Sequence, residues 1–222
     1  MPTIVSSTND GYVRKTNAST WAGAKSTVSG TAVSTSSSSN VGISAYKHRF
    51  SYYIYRSFFQ FDTEDVVDEV DSATLYIRGK SQSAADVMAL QANSGISTLS
   101  GSDFNNITGW VVGSPNGSGG ASNIGNVTKY SNEYSSWTTS GYNNIILNAN
   151  AYQHMQDNDN LYVAVVEYDH DLLDIAPTGY NQSGLYYANA SGSFRPYIEY
   201  TTVAPSSSTS NSIFFGANFW LE

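Results

Sequence analysis

The sequence predicts an all-β protein, a jelly-roll-like antiparallel β-sandwich with one short helix and an extended C-terminal arm. Aromatic residues make up 14% of the 222 residues, and charged residues make up 13%, about half of the usual ~25%. Clusters of Ser, Thr, Asn and Gly, which favour turns, separate short apolar runs. Several of these runs alternate between apolar and polar residues with the period of two that a half-buried strand requires.

The first half of the chain contains the clearest strand signal. Residues 1–8 are expected to form an N-terminal arm, residues 11–15 a first short strand, and residues 26–40 a loop or weak strand. Residues 49–62, RFSYYIYRSFFQFD, place Tyr53, Tyr55, Ser57, Phe59 and Phe61 on one face and Tyr52, Ile54, Arg56, Phe58 and Gln60 on the other. Because both faces carry aromatic side chains, this segment is predicted to be a central strand.

The remaining elements follow from the same patterns. After an acidic connection at 63–70, Ala73, Leu75 and Ile77 alternate with polar residues in a second strand, and residues 86–91 predict another. Residues 95–125 read as a long loop with a tight turn at Asn116-Gly117. A short helix is expected within 149–158 (ANAYQHMQDN), with Ala151, Met155 and Tyr152 turned inward. Strands are expected at 144–147, 161–169, 185–188 and 195–201.

Three of these segments, taken in order, resemble the DNRLRE-type β-sandwich domain of bacterial surface proteins and tailed-phage structural proteins. They are NDGYVRK (9–15), YRSFFQFDTEDVVDEVDSATLYIRG (55–79), and VAVVEYDHDLLDIAPTG (163–179) followed by FRPYIEYT (194–201). The resemblance covers residues 9–201. It implies one non-catalytic sandwich domain, used for binding or for building surfaces.

Charge and composition exclude several functions. The net charge is −8 and the ten basic residues are scattered, so neither nucleic acid nor an anionic membrane is an expected partner. There is no cysteine, and no apolar run approaches the ~18 residues of a membrane span. The N-terminus lacks the basic and apolar regions of a signal peptide, so the protein is expected to be made in a cytoplasm and to end up in a virion.

Catalytic signals are weak. The three histidines, at positions 48, 154 and 170, are not accompanied by the Gly-X-Ser-X-Gly motif of a nucleophilic serine. Glycoside hydrolysis needs two carboxylates flanking a cleft, and the sequence does not place any such pair. The protein is therefore predicted not to be an enzyme, and a hydrolase is the third and weakest hypothesis.

One acidic segment is a candidate cation site. In EYDHDLLD, Glu167, Asp169, Asp171 and Asp174 follow a predicted buried strand, and Ca²⁺ prefers six to eight oxygen ligands of this kind. A polar turn whose carboxylates cap backbone amides accounts for the same residues. Zinc bound with the help of His170 is a further alternative. No other cofactor is expected.

Aromatic residues near loops and strand ends could serve a binding surface. They are Tyr12, Trp21, Tyr46, Trp110, Tyr130, Tyr134, Trp137, Tyr142, Tyr180, Tyr186 and Tyr187. Such rings can stack on sugars, anchor protein interfaces or fill the core and its rim. Because these residues are spread along the chain, they favour assembly contacts over a single sugar platform.

The C-terminus carries the strongest functional signal. A Pro/Ser/Thr/Asn linker at 202–212 precedes an apolar segment, 213–222, with Ile213, Phe214, Phe215, Phe219 and Trp220. These residues predict a segment that docks on a neighbouring subunit, or alternatively folds back on its own domain.

The first hypothesis is thus a non-enzymatic phage virion protein, namely a capsid decoration or cement protein, a head fibre or a tail-associated subunit. Its expected partners are other virion or capsid subunits, in a homo-oligomer. The alternative is a carbohydrate-binding module or adhesin domain for cell-surface glycans, with Tyr/Trp stacking and a possible Ca²⁺ dependence.

Overall fold

The structure, a computed structural model, describes residues 1–93, 98–112 and 126–204. It confirms an all-β, sandwich-like fold built from antiparallel strands. In these ranges there are eleven strands: β1 (Thr3–Val5), β2 (Gly11–Ala18), β3 (Ala32–Ser34), β4 (Ser38–His48), β5 (Ser51–Asp62), β6 (Val70–Ser83), β7 (Val87–Gln91), β8 (Tyr142–Ile146), β9 (Asn160–Glu167), β10 (Tyr180–Tyr186) and β11 (Tyr197–Thr202).

Helical structure is confined to short connections. Helix α2 (Ala149–Asp157) is the predicted one; the Asn148 side chain caps its first amides, and Ala151 and Met155 are buried. The sequence did not predict α1 (Trp21–Lys25), which Thr20 caps. Two 3₁₀ helices (Gly101–Asn105 and Gly192–Phe194) and one π-helical turn (Tyr168–Leu172) complete the set. Among the described residues, no helix is long and apolar enough to cross a membrane.

The strands form two layers joined by β6. The front sheet contains β1, β11, β6 and β8, and the back sheet contains β3, β2, β5, β4, β10, β9 and β7. Strand β6 pairs with β11 and β8 through its first half and with β10 through its second half, so it passes from one layer to the other. Residues 1–8 were expected to form an N-terminal arm. They contain strand β1, which pairs with β11.

Strand β5 is central, as its alternating pattern predicted. One of its edges pairs with β2, and its other edge pairs first with β4 and then with β9. Phe59 and Phe61 point into an inner core between the two sheets, where they meet residues such as Leu75. Ile54 and Phe58 point the other way, into a second core on the outer side of the back sheet.

This second core requires a cover that the two-layer prediction did not include. Helix α1, the 3₁₀ helix 101–105 and the π-helical turn lie over the outer face of the back sheet and contribute Ala24, Phe104 and Leu172 to it. The back sheet is therefore buried on both faces near its middle. Because strands buried on both faces cannot show a simple alternation, their sequences read as continuous apolar runs.

Candidate functional site

The outer core contains a buried ionic centre formed by Lys25, Arg56 and Asp171. Alternation along β5 directs Arg56 to the same side as Ile54 and Phe58, where it has no exposed surface. Its Nε and Nη2 atoms donate to the two carboxylate oxygens of Asp171 at 2.6 and 2.7 Å. Lys25, from α1, donates to the same carboxylate at 2.9 Å. One carboxylate thus pairs with two cations.

Neighbouring groups complete this centre and close it to solvent. Nη1 of Arg56 donates to the Phe104 carbonyl at 2.7 Å and to Oδ1 of Asn105 at 2.8 Å. The rings of Phe104 and Trp110 lie 4.1 and 4.0 Å from the guanidinium carbon. The ionic centre therefore ties α1, the 3₁₀ helix and the π-helical turn to the back sheet, and we assign it a structural role.

The charges at this centre change the pKa values of its members. Burial alone would raise the pKa of Asp171, but the charges of Arg56 and Lys25 outweigh burial and lower it to about 2. Burial lowers the pKa of Lys25, although the charge of Asp171 opposes that change. Asp171 therefore stays ionised at any pH at which the protein is expected to work.

Two further residues of the predicted cation site have other partners. Oε2 of Glu167 accepts from the amides of His170 and Asp171 at 2.7 and 2.8 Å, so it caps the π-helical turn. Burial raises the pKa of Glu167 to about 8, even though these two bonds act to lower it. Asp174 accepts from the indole nitrogen of Trp21 at 2.9 Å.

Asp169 lies in a different carboxylate group. Its ligand atom lies within 4.8 Å of those of Asp86 and Glu133, and these three residues are the group within the described ranges that could hold a cation. Burial, followed by repulsion within the group, raises the pKa values of Asp86 and Glu133. Sequence reasoning missed these two because strand pairing of β7 with β9, and a bridge from Val87 to Tyr134, bring them to Asp169. The Ca²⁺ hypothesis stays a prediction.

Many of the aromatic residues singled out in the sequence pack against one another. Tyr130, Trp137, Tyr187 and Tyr46 are buried. The ring of Tyr46 stacks on Tyr53 at 4.7 Å, nearly parallel, and on Tyr180 at 5.5 Å. Because these rings cover each other's faces across β5, β4 and β10, they stabilise strand pairing and offer few free faces to a sugar. Trp21 and Trp110 lie beside the ionic centre.

A second aromatic group lies on the solvent side of the front sheet. Pairing aligns Val5 of β1 with Tyr197 of β11 and Tyr197 with Tyr76 of β6. The rings of Tyr76 and Tyr197 stack at 4.6 Å, and Tyr142 of β8 packs edge-on against both. Ile146, also on β8, is 73% exposed and Val5 is 51% exposed. We call these five residues the front aromatic face.

A groove runs along one side of the front aromatic face. It has a volume of about 370 Å³ and is lined by Thr3, Val5, Tyr142, Ser193, Arg195 and Tyr197. The Tyr142 hydroxyl donates to the backbone carbonyls of Ser193 and Arg195, which fixes the ring at the edge of the groove. The groove thus combines apolar walls with a rigid aromatic rim.

The predicted docking residues Ile213, Phe214, Phe215, Phe219 and Trp220 lie outside the described residues, as does the turn at Asn116-Gly117. Comparison with known proteins gives no family model that matches the chain and no match among curated proteins. The resemblance to the DNRLRE-type domain therefore stays a prediction.

Proposed function

We propose that the chain is a non-enzymatic structural protein of a phage virion, a decoration protein, head fibre or tail-associated subunit. In this proposal, residues 213–220 of one copy dock on the front aromatic face of a neighbouring copy. The front aromatic face is the observation that carries the proposal. It is a sheet surface that the described residues leave uncovered, with three ordered tyrosine rings and two exposed aliphatic side chains.

The chemistry of the two surfaces matches. Tyrosine-rich sheet faces are rigid and half apolar, and they are enriched at the centres of protein interfaces. The C-terminal segment supplies five large apolar side chains. Burying one Phe or Ile side chain contributes about 1.5–3 kcal/mol, so several together can offset the cost of ordering the segment.

The position of the linker also supports docking in this region. Strand β11, which carries Tyr197, ends at Thr202. Residues 203–212 can span up to about 33 Å when extended. A linker of that length lets the apolar segment reach away from the end of β11, as docking on an adjacent subunit requires. Identical subunits that exchange terminal segments in this way can form closed or repeating assemblies.

The virion context is supported by the sequence. The three ordered segments resemble a domain found in phage structural proteins, and the acidic, cysteine-free chain has no basic cluster for nucleic acid. Mass spectrometry of purified phage particles tests this context directly. The chain should be present there in a fixed ratio to a capsid or tail protein, and its absence from the particles would reject the virion assignment.

Deleting residues 203–222 should convert an oligomer into a monomer with an unchanged fold. Light scattering coupled to gel filtration measures the mass, and circular dichroism with thermal unfolding measures the fold. Val5→Lys should weaken the oligomer in the full-length chain, because it places a charge in the docking groove. Val67→Lys is the matched control, since Val67 is 86% exposed in the connection between β5 and β6.

Two results would contradict the docking proposal. A full-length chain that is monomeric at every concentration has no docking partner in another copy. A truncated chain that fails to fold would show that the C-terminal segment belongs to its own domain, which is the alternative that the sequence left open.

A further inference from the structure

A polar pocket lies at the end of the molecule where α2, β7 and β9 meet. Its volume is about 480 Å³, within the ~300–1,000 Å³ range of small-molecule sites. Its lining includes Gln91, Asn93, His154, Asp159, Asn160 and Tyr162. These residues come from β7, α2 and β9 and from the segments that adjoin them, and the front aromatic face is formed by other residues. An inference about this pocket is therefore independent of the docking proposal.

The amide side chains in the pocket are held in defined orientations. Oδ1 of Asn160 accepts from Nε2 of Gln60 at 2.8 Å, and Oδ1 of Asn93 accepts from the Thr108 hydroxyl at 2.7 Å. Because each amide oxygen is occupied, each amide nitrogen is oriented as a donor. Among the described residues, neither nitrogen has a hydrogen-bond partner. The pocket is thus lined by two asparagines whose amide nitrogens can still donate to a ligand.

Asp159 supplies the complementary acceptor. It lies between Asn158 and Asn160, and its backbone carbonyl accepts from the amide of Thr63 at 2.8 Å. This bond holds the backbone that presents the carboxylate. Asp159 lines the same pocket as Asn93 and Asn160, and a carboxylate together with amide donors is suited to a ligand whose groups both donate and accept hydrogen bonds, as hydroxyls do.

The wall of the pocket is rigid and partly aromatic. The Tyr130 hydroxyl is hydrogen-bonded to Nδ1 of His154, and the two rings meet edge to face at 5.7 Å. Nε2 of His154 lies 3.4 Å from Nε2 of Gln91. Tyr162, partly exposed, adds an apolar ring surface at the lining. Tyr130 is fully buried and supports the wall from within, so the partly exposed ring of Tyr162 is the surface that can contact the C–H groups of a sugar ring while its hydroxyls are bound.

We infer that this pocket binds a neutral sugar residue, with Asp159, Asn93 and Asn160 recognising its hydroxyls. Among the described residues, the lining contains no Lys or Arg, and the Asp159 charge disfavours an anionic ligand such as a phosphate or an acidic sugar. Asp159 is also the single carboxylate that the described part of the chain contributes to the lining, whereas glycoside hydrolysis uses a pair. The pocket therefore binds a sugar without cleaving it. If the chain binds carbohydrate, as the alternative hypothesis holds, this polar pocket is the binding site, and not a flat surface of tyrosine rings.

The test uses the full-length chain and four free sugars: glucose, galactose, mannose and N-acetylglucosamine. Saturation-transfer NMR detects binding, and a chemical-shift titration gives the affinity. We expect a Kd on the order of 1 mM for at least one of them, as for a single small polar ligand. Asp159→Asn and Asn93→Ala should each weaken that binding about tenfold or more, because each removes a hydrogen-bonding group from the pocket.

Asp68→Asn is the matched control, since it removes the same charge from an exposed position in the connection between β5 and β6. It should leave the affinity unchanged. Failure of all four sugars to bind would overturn the inference. Binding that survives both Asp159→Asn and Asn93→Ala would also overturn it, because the sugar would then bind elsewhere. Neither result would affect the docking proposal, which is tested by the oligomeric state.

Discussion

Asp171→Ala should cost the protein about 3–5 kcal/mol of unfolding free energy, or prevent it from folding. The substitution leaves Arg56 and Lys25 buried next to each other without their shared counter-charge. Two like charges in a water-excluded site repel, and each has lost its strongest hydrogen bonds. Chemical denaturation of the purified variant, compared with the wild type, measures the loss.

Asp169→Ala is the matched control for this prediction. Asp169 belongs to the same π-helical turn, but its carboxylate lies near those of Asp86 and Glu133 rather than near a cation. Its removal should change the unfolding free energy by less than about 0.5 kcal/mol, since it relieves repulsion and breaks no ion pair. If Asp171→Ala proves as stable as Asp169→Ala, the ionic centre does not hold the cover of the outer core in place.

The sequence predicted strand β5 and the face on which Arg56 lies, but it could not identify the partner of this buried arginine. Alternation over residues 49–62 placed Arg56 on a face with Ile54 and Phe58, and the structure confirms both the strand and the face. A charge in an apolar stripe signals a buried partner. The partner, Asp171, is 115 positions away in the sequence, and local patterns carry no information about pairing over that separation.

The aromatic residues show the same limit. Their positions in the sequence gave no sign that Tyr46, Tyr53 and Tyr180 would stack, because the stacking depends on the order of β5, β4 and β10 in the sheet. One of the alternatives for these rings was that they fill the core or cover its rim, and the stacking of Tyr46 on Tyr53 and Tyr180 agrees with that alternative. The polar pocket was missed for a related reason, since its amides come from β7, β9 and the end of α2.

The acidic segment was interpreted correctly in one respect. A polar turn with carboxylates capping backbone amides was one of the alternatives, and Glu167 acts in that way. Sequence patterns could not separate this role from cation binding, because a carboxylate oxygen accepts an amide hydrogen bond and a metal ion equally well. The difference lies in which groups face each other across the fold.

The stability of the protein should fall as the pH rises from about 5 to about 8. Burial raises the pKa of Glu167 to about 8 and that of Asp10 to about 7. In the unfolded chain both carboxyls titrate near pH 4. Between these values the folded state retains protons that the unfolded state has released, so raising the pH favours unfolding. The contribution is complete below about pH 4 and is lost as the pH passes through the folded pKa values.

Glu167→Gln should remove a large part of this pH dependence. A glutamine oxygen can still accept the two amide bonds of the π-helical turn, and its neutral side chain does not have to be protonated in the folded state. Denaturant titrations at pH 5 and pH 8 give the unfolding free energy at each pH. The difference between these two free energies should be about 2–4 kcal/mol smaller in Glu167→Gln than in the wild type.

A control variant and a second variant distinguish the contributions that the two buried carboxyls make to the pH dependence of stability. Glu64→Gln changes an exposed carboxyl in the β5–β6 connection. It should leave the decrease of unfolding free energy with pH as it is in the wild type. Asp10→Asn should remove the part of the slope that lies below pH 7, because the Asp10 carboxylate accepts from the amide of Ala188 in a buried position. A wild-type stability that is constant or rises from pH 5 to pH 8 would mean that both carboxyls are ionised in the folded protein. The buried Oε1 of Glu167, which has no hydrogen-bond partner among the described residues, would then have to be solvated in some other way.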